Sequence, residues 1–152
     1  MVSTKDLKLF PYTELHSHSN YSFHEGASSI QDMLKHAKKL GYSALALTDH
    51  DNLCGAMEFS QVAKSLGVQP IIGAEITLLG GYHITLLVEN REGYKNLCRI
   101  ISASGFARNK TGEAIDPGLL YGHSEGLIAL SGCSKGEIPL LAHQGKLKEA
   151  EE

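Results

Sequence analysis

The feature that most constrains the fold is an alternation between short β-type runs and stretches of helical periodicity. Short β-type runs predict five strands: Tyr12–Leu15, Ala44–Thr48, Gln69–Leu78, Tyr82–Val88 and Leu127–Leu130. Apolar residues recurring every three to four positions predict helices between or after them: Ser28–Leu40, Gly55–Leu66, Arg91–Phe106, Lys135–His143 and Lys146–Glu152. The alternation predicts an α/β fold with a largely parallel sheet, in which Gly80-Gly81 turns one antiparallel hairpin.

Local signals fix several helix ends and inward faces. Ser28 or Ser29 can cap the first helix, and Gly41 and Gly67 follow the first two helices as stops. The second helix is predicted to turn Met57 inward with four other apolar residues, Phe59, Val62, Ala63 and Leu66. The third helix is predicted to bury Tyr94, Leu97, Cys98 and Ile101. The polar residues Arg108–Asp116 are predicted to form a loop.

Length and composition limit the class of protein. A chain of 152 residues predicts one domain or a piece of a larger one. The sequence has no apolar run near the roughly 20 residues of a membrane helix, and no apolar stretch of signal-peptide length precedes Pro11. We expect its three cysteines to be free thiols in the cytoplasm. The net charge of -3 does not demand a nucleic-acid partner. Because Lys146–Glu152 looks like the opening of a longer amphipathic helix, we expect a fragment of a longer protein.

Candidate metal ligands follow the predicted strands, where α/β folds place their sites. The first strand leads into His16 and His18, which point to the same side of an extended chain, and Glu25 comes seven residues later. Later strands place four more candidate ligands and one further acid at their ends: Asp49, His50, Glu75, His83 and Cys133. Singly, each has an ordinary explanation, such as a helix cap for an aspartate or a buried small residue for a cysteine. Together they predict a metal centre.

The mixture of donors indicates the metal and the chemistry. Imidazole, carboxylate and thiolate suit Zn²⁺, Mn²⁺ or Fe better than Mg²⁺ or Ca²⁺. The donors outnumber those of one tetrahedral ion, so we expect two or three metals, which typically serve phosphoester hydrolysis. Glu75 is predicted to bridge two cations, and the candidate catalytic residues are Glu75, His50 and Asp49.

These residues occur in segments that resemble the polymerase-and-histidinol-phosphatase (PHP) family. LHSHSNYSFHEGAS, ALTDHDNLCGAMEF, and IIGAEITL with YHITLLV resemble its successive motifs. The helix EGYKNLCRIIS, the segment HSEGLIALSGCSKGEI and the hairpin further resemble the PHP domain that opens bacterial DNA polymerase III alpha subunits, including error-prone ones.

The resemblance implies a distorted (β/α)7 barrel, of which residues 1–152 would be an N-terminal portion lacking the last strands. It implies up to three divalent metals in the complete domain, with seven ligands here: His16, His18, Glu25, His50, Glu75, His83 and Cys133. Glu25 stands where the polymerase-type pattern has aspartate, and no Asp-x-His pair follows Cys133. The implied activity is metal-dependent phosphodiester hydrolysis, such as 3′-5′ exonuclease, or structural support of a polymerase. DNA, the other polymerase domains and replisome subunits are the implied partners, in the cytoplasm.

Two other interpretations remain open at this point. A free-standing PHP phosphoesterase would act on small phosphate esters such as histidinol phosphate, and a non-catalytic scaffold would hold at most a structural metal. A basic stretch could contact DNA or another domain, or form a solvated helix face; it comprises Arg91, Lys95, Arg99, Arg108 and Lys110.

Overall fold

The computed structural model describes residues 12–111, 115 and 117–151. In chain order its helices and strands are α1 (Ile30–Lys39), β1 (Ala44–Leu47), α2 (Ala56–Leu66), β2 (Gln69–Thr77), β3 (His83–Val88), α3 (Arg91–Thr111), α4 (Pro117–Gly122), β4 (Leu127–Leu130), α5 (Glu137–His143) and α6 (Leu147–Glu151). The predicted helices and four of the five predicted strands are confirmed to within a few residues. No helix in the described ranges is both long and apolar enough to cross a membrane.

The first two helices begin and end where the sequence indicates. The Ser29 hydroxyl accepts a hydrogen bond from the Asp32 backbone N–H (3.2 Å), which satisfies one of the free donors at the start of α1. Gly41 and Gly67 take φ values of 81° and 70°, the left-handed conformation that glycine adopts without steric cost. A side-chain cap at the start of α1 and a glycine after each helix therefore agree with the predicted ends.

The four strands form one mixed sheet in the order β1-β2-β3-β4. Only β1 and β2 pair in parallel, while β2–β3 and β3–β4 are antiparallel, so the expectation of a largely parallel sheet is wrong. The short 3₁₀ turn Leu79–Gly81 reverses the chain after β2, and a parallel return needs a crossover of a dozen or more residues. The predicted antiparallel hairpin is confirmed.

The predicted strand at Tyr12–Leu15 is reduced to one parallel bridge between Glu14 and Leu45 of β1. Side chains replace part of the strand pairing there. The His16 backbone N–H donates to the Glu14 carboxylate (3.1 Å), and the Ser17 N–H donates to the Thr48 hydroxyl (3.0 Å). The segment still runs beside β1, because the Thr48 N–H donates to the Ser17 carbonyl (2.9 Å).

Two apolar clusters hold the sheet and helices together. Phe59 lies fully buried between α1, α2 and β1, and Leu97 and Ile100 of α3 pack on β2 and β3. Two residues predicted to face inward do not: Met57 is 71% exposed and Tyr94 is 42% exposed. With 3.6 residues per turn, Met57 falls on the side of α2 away from Phe59 and Ala63, and Tyr94 falls at the margin of the buried stripe that contains Leu97 and Ile100.

Helix α3 runs to Thr111, so the predicted loop at Arg108–Asp116 begins too early. No glycine or proline lies between Ala107 and Thr111 to end the helix. Residue 115 bridges to Leu78, and residues 112–114 and 116 lie outside the described part of the chain.

Candidate metal centre

The candidate ligands converge where β1 and β2 end together. Beyond β1, His50 forms a parallel bridge with Glu75 of β2, and the Asp51 backbone N–H donates to the Glu75 carbonyl (2.8 Å). The segment carrying His16 and His18 runs along the other side of β1, as described above. Three separate parts of the chain thus present their side chains to one point.

Two groups of potential ligand atoms form there, each with its atoms within 4.8 Å of one another. In the first, Glu75 lies between two histidines: Oε1 is 3.4 Å from His16 Nε2, and Oε2 is 3.2 Å from His18 Nε2. The second group contains His50, Glu75 and His83, with His83 Nδ1 3.2 Å from Glu75 Oε1. Because Glu75 belongs to both groups, its two oxygens could serve two cations.

Buried polar atoms without partners test whether this arrangement fits a metal. Glu75 Oε1 and His83 Nδ1 are both buried and make no hydrogen bond, although they lie 3.2 Å apart. Buried polar groups are normally paired, and an unpaired one costs about 1–3 kcal/mol. A cation that accepted both as ligands would remove this cost, so the residues present fit a divalent ion.

The protonation of the cluster favours cation binding at Glu75. Burial by itself raises the pKa of Glu75, but the close approach of His16, His18 and Cys133 outweighs it and holds that pKa well below its ordinary value. The nearby Glu75 carboxylate raises the pKa of His16 against the opposing effect of burial. Glu75 is therefore an anion at neutral pH, with imidazoles around it.

Glu25 and Cys133 lie beside these groups and belong to neither. Glu25 Oε2 is 2.6 Å from His50 Nδ1 and 3.7 Å from His18 Nδ1, and its other oxygen pairs with Lys135 (3.5 Å). Burial acts to raise the pKa of Glu25, but its contacts with His50 and Lys135 lower it overall. The Cys133 thiol contributes to the low pKa of Glu75 and accepts a hydrogen bond from the Lys135 N–H (3.4 Å).

Asp49 is not brought into either group. Its carboxylate is buried and accepts hydrogen bonds from the Ser19 N–H (2.7 Å), the Ser19 hydroxyl (2.7 Å) and the Ser22 hydroxyl (2.6 Å). Both oxygens are thus used to anchor the loop that carries His18 and Glu25. These contacts position the loop, and a catalytic role for Asp49 stays a prediction.

Asp51 and Thr77 contact the site but were not among the sequence candidates. His50 Nε2 is 2.7 Å from the Thr77 hydroxyl and 3.1 Å from Asp51 Oδ2. The hydrogen bond to Asp51, opposed by burial and reinforced by Glu25, raises the pKa of His50 to about 9. The run Asp49-His50-Asp51 was the available signal, since it places an acid on each side of the histidine.

Two residues of the predicted basic stretch, Lys95 and Arg99, lie beside a counter-charge, while the side chains of Arg108 and Lys110 lie outside the described ones. Lys95 pairs with Glu92 at 2.7 Å, and Arg99 lies 4.0 Å from the same carboxylate and donates to the Asn96 side-chain oxygen (3.1 Å). These exposed contacts are typical of a solvated helix face. Contact of this stretch with DNA stays a prediction.

Comparison with known proteins points to one family. Residues 14–152 match the PHP domain model. An error-prone DNA polymerase of Symbiobacterium thermophilum is 44% identical over 92% of this chain and 14% of its own length. The DNA polymerase III alpha subunits of Treponema pallidum and Thermus aquaticus are 41% and 40% identical over 93% and 92% of this chain, and 13% of each subunit. The chain thus spans only 13–14% of the length of these relatives.

Solved structures share the fold over part of the chain. A proposed metal-dependent phosphoesterase of Bifidobacterium adolescentis aligns with a TM-score of 0.51 and 21% identity, covering 66% of this chain and 35% of that one. An amidohydrolase of Chromobacterium violaceum, solved with bound sulfate, aligns with a TM-score of 0.52 and 28% identity, covering 63% of this chain and 34% of that one. The architecture is consistent with a partial barrel.

Proposed function

Because the chain belongs to the PHP domain family, we propose that it is the PHP portion of a DNA polymerase III alpha-type polymerase, replicative or error-prone, and that its site holds divalent metals for phosphodiester hydrolysis. The observation that carries the proposal is the shared carboxylate of Glu75, which is buried, ionised and flanked by imidazoles on both sides. The polymerase relatives favour this function over a free-standing phosphoesterase acting on small esters.

Within this proposal the side chains form two metal-binding groups that share Glu75. His16, His18 and Glu75 would hold one ion, and His50, Glu75 and His83 a second, with Glu25 and Cys133 as further ligands at the edge. The nitrogen-rich donor set suits Zn²⁺, Mn²⁺ or Fe. Divalent ions, when bound, make water a nucleophile near neutral pH and neutralise phosphate oxygens.

The wider setting of the chain also belongs to the proposal. Residues 1–152 would form an N-terminal portion of a longer PHP domain, in agreement with the 34–35% of the neighbouring structures' chains that it covers. In such a polymerase the partners would be DNA, the remaining polymerase domains and replisome subunits. The compartment would be the cytoplasm, which agrees with the free thiols of Cys54, Cys98 and Cys133.

The test compares metal content and hydrolysis in wild type and a Glu75→Gln variant. The chain is purified without chelator, its Zn, Mn and Fe are counted by elemental analysis, and hydrolysis of bis(p-nitrophenyl) phosphate is followed. We expect wild type to contain metal and Glu75→Gln to lose it. The control Glu89→Gln removes an exposed carboxylate directly after β3 and should keep the metal content of wild type. Metal retained in Glu75→Gln would refute the site, and metal without hydrolysis in wild type would favour a structural metal.

A further inference from the structure

Asp51 holds an uncommon backbone conformation beside the proposed metal site. Its φ is 54°, in the left-handed region that non-glycine residues rarely adopt, although aspartate and asparagine tolerate it best. Its side chain is nearly buried and is tied to β2: Oδ1 accepts from the Thr77 backbone N–H (2.9 Å), and Oδ2 accepts from the Thr77 hydroxyl (2.8 Å). Such strain persists only where surrounding contacts impose it, and it often marks a functional site.

The hydrogen bonds between Asp51, Thr77 and His50 determine which of their atoms donate and which accept. A carboxylate only accepts hydrogen bonds, and a hydroxyl has a single proton to donate. Thr77 gives its proton to Asp51, so its oxygen can only accept from His50 Nε2, 2.7 Å away. Asp51 Oδ2, 3.1 Å from the same nitrogen, also acts as an acceptor there. Both contacts require a proton on Nε2.

We propose that Asp51, with Thr77, fixes the tautomer of His50 so that Nε2 carries the proton and Nδ1 is the nitrogen offered to a metal ion. This inference rests on the proposed function. Without a metal ion, Nδ1 donates to Glu25 Oε2 at 2.6 Å, so an ion that binds Nδ1 displaces that proton and has Glu25 beside it as a second potential ligand, while Nε2 keeps its proton. Metal-binding histidines usually donate their other ring N–H to an oxygen in this way. Asp51 is thus a positioning residue.

The direct test reads the protonation of each ring nitrogen. The chain is labelled with ¹⁵N-histidine, loaded with Zn²⁺ alone, and examined by long-range ¹H–¹⁵N correlation, with a His50→Gln variant for assignment. We expect a protonated Nε2 and a Nδ1 resonance shifted by Zn²⁺. A protonated Nδ1 with Zn²⁺ on Nε2 would overturn the inference.

Substitution of Asp51 tests whether this residue fixes the tautomer of His50. Asp51→Asn keeps the shape of the side chain, and asparagine also tolerates the positive φ. Its side-chain amide can, however, direct an N–H₂ donor toward His50 Nε2 in place of an acceptor. We expect its Zn²⁺ affinity to fall by about 10- to 100-fold. Asp32→Asn, an exposed aspartate in α1, is the matched control and should bind Zn²⁺ as wild type does.

Thr77 supplies a second route to the same test if Asp51→Asn does not fold. Thr77→Val removes the hydroxyl between the two side chains and should weaken Zn²⁺ binding, whereas Thr77→Ser keeps the hydroxyl and should restore it. Unchanged affinity and ring shifts in Asp51→Asn or in Thr77→Val would overturn this inference alone. Failure of wild type to take up Zn²⁺ would instead overturn it together with the proposed function.

Discussion

We expect the affinity of the chain for Zn²⁺ to rise steeply with pH, because the ion and a proton compete for His50. The ring faces Asp51 Oδ2 at 3.1 Å and Glu25 Oε2 at 2.6 Å, and the His83 ring lies against it with centroids 4.6 Å apart. The hydrogen bond to Asp51, opposed by burial and reinforced by Glu25, raises the pKa of His50 to about 9. At pH 7 the ring therefore carries a proton that a metal must displace.

The size of the effect follows from that pKa. A raised pKa means that the charged form dominates below about pH 9. Each pH unit below that value reduces metal affinity about tenfold for each proton displaced. Between pH 6.5 and 8.5, His50 alone should thus raise the association constant about 100-fold. His16, whose pKa is raised by the nearby Glu75 carboxylate, should steepen the dependence toward the acid end.

The assay is a competition titration against a chromogenic zinc chelator across that pH range, corrected for protonation of the chelator. Calorimetry in two buffers of different protonation enthalpy counts the released protons, and we expect about one from His50 at pH 7.5. His36→Gln, an exposed helix histidine, should leave the pH dependence unchanged. A flat affinity with no proton release would refute the reasoning, because His50 would then be neutral before binding or would not be displaced.

Three further predictions concern stability, each read by chemical or thermal denaturation followed by circular dichroism. Phe59→Ala empties a fully buried position and should lower the free energy of unfolding by about 3–5 kcal/mol; a loss below about 1 kcal/mol would contradict the described core. Gly73→Ala would place a Cβ 2.5 Å from the backbone of β3 and should abolish or strongly weaken folding. Gly122→Ala, which meets open space, is its control and should melt like wild type. Asp49→Ala leaves buried serine donors unpaired and should lower the free energy of unfolding by about 1–3 kcal/mol and speed proteolysis of the loop at 19–25; unchanged proteolysis would show that Asp49 does not anchor that loop.

Much of the fold was predictable because its signals are local. Ser29 and Gly41 mark helix ends through groups within a few residues, and the buried residues Ile30 and Leu34 of α1 follow the helical period. The direction of β4 was not predictable in this way. It depends on how α3 and α4 return the chain to the sheet, and no residue near Leu127 encodes that path.

The candidate site was predictable to the level of residue types at strand ends, and not to the level of their partners. Glu75 follows from its position in β2, and the structure brings it between His16 and His18 as expected of a shared ligand. Asp49 and Asp51 flank the same histidine and look equivalent in sequence. The backbone turn at Asp51 sends its carboxylate toward Thr77, while Asp49 points to the serine loop, and only three-dimensional packing distinguishes them.

The sequence distances across the site bear on the order of folding. Glu25 and Lys135 form an ion pair although 110 positions separate them. His50 meets Glu75 only once β1 has found β2. Contacts of such long range form slowly, because closing a long loop costs entropy before any contact rewards it. We therefore expect the metal-binding geometry to be among the last features to form, so that the capture of an ion would mark the end of folding rather than nucleate it.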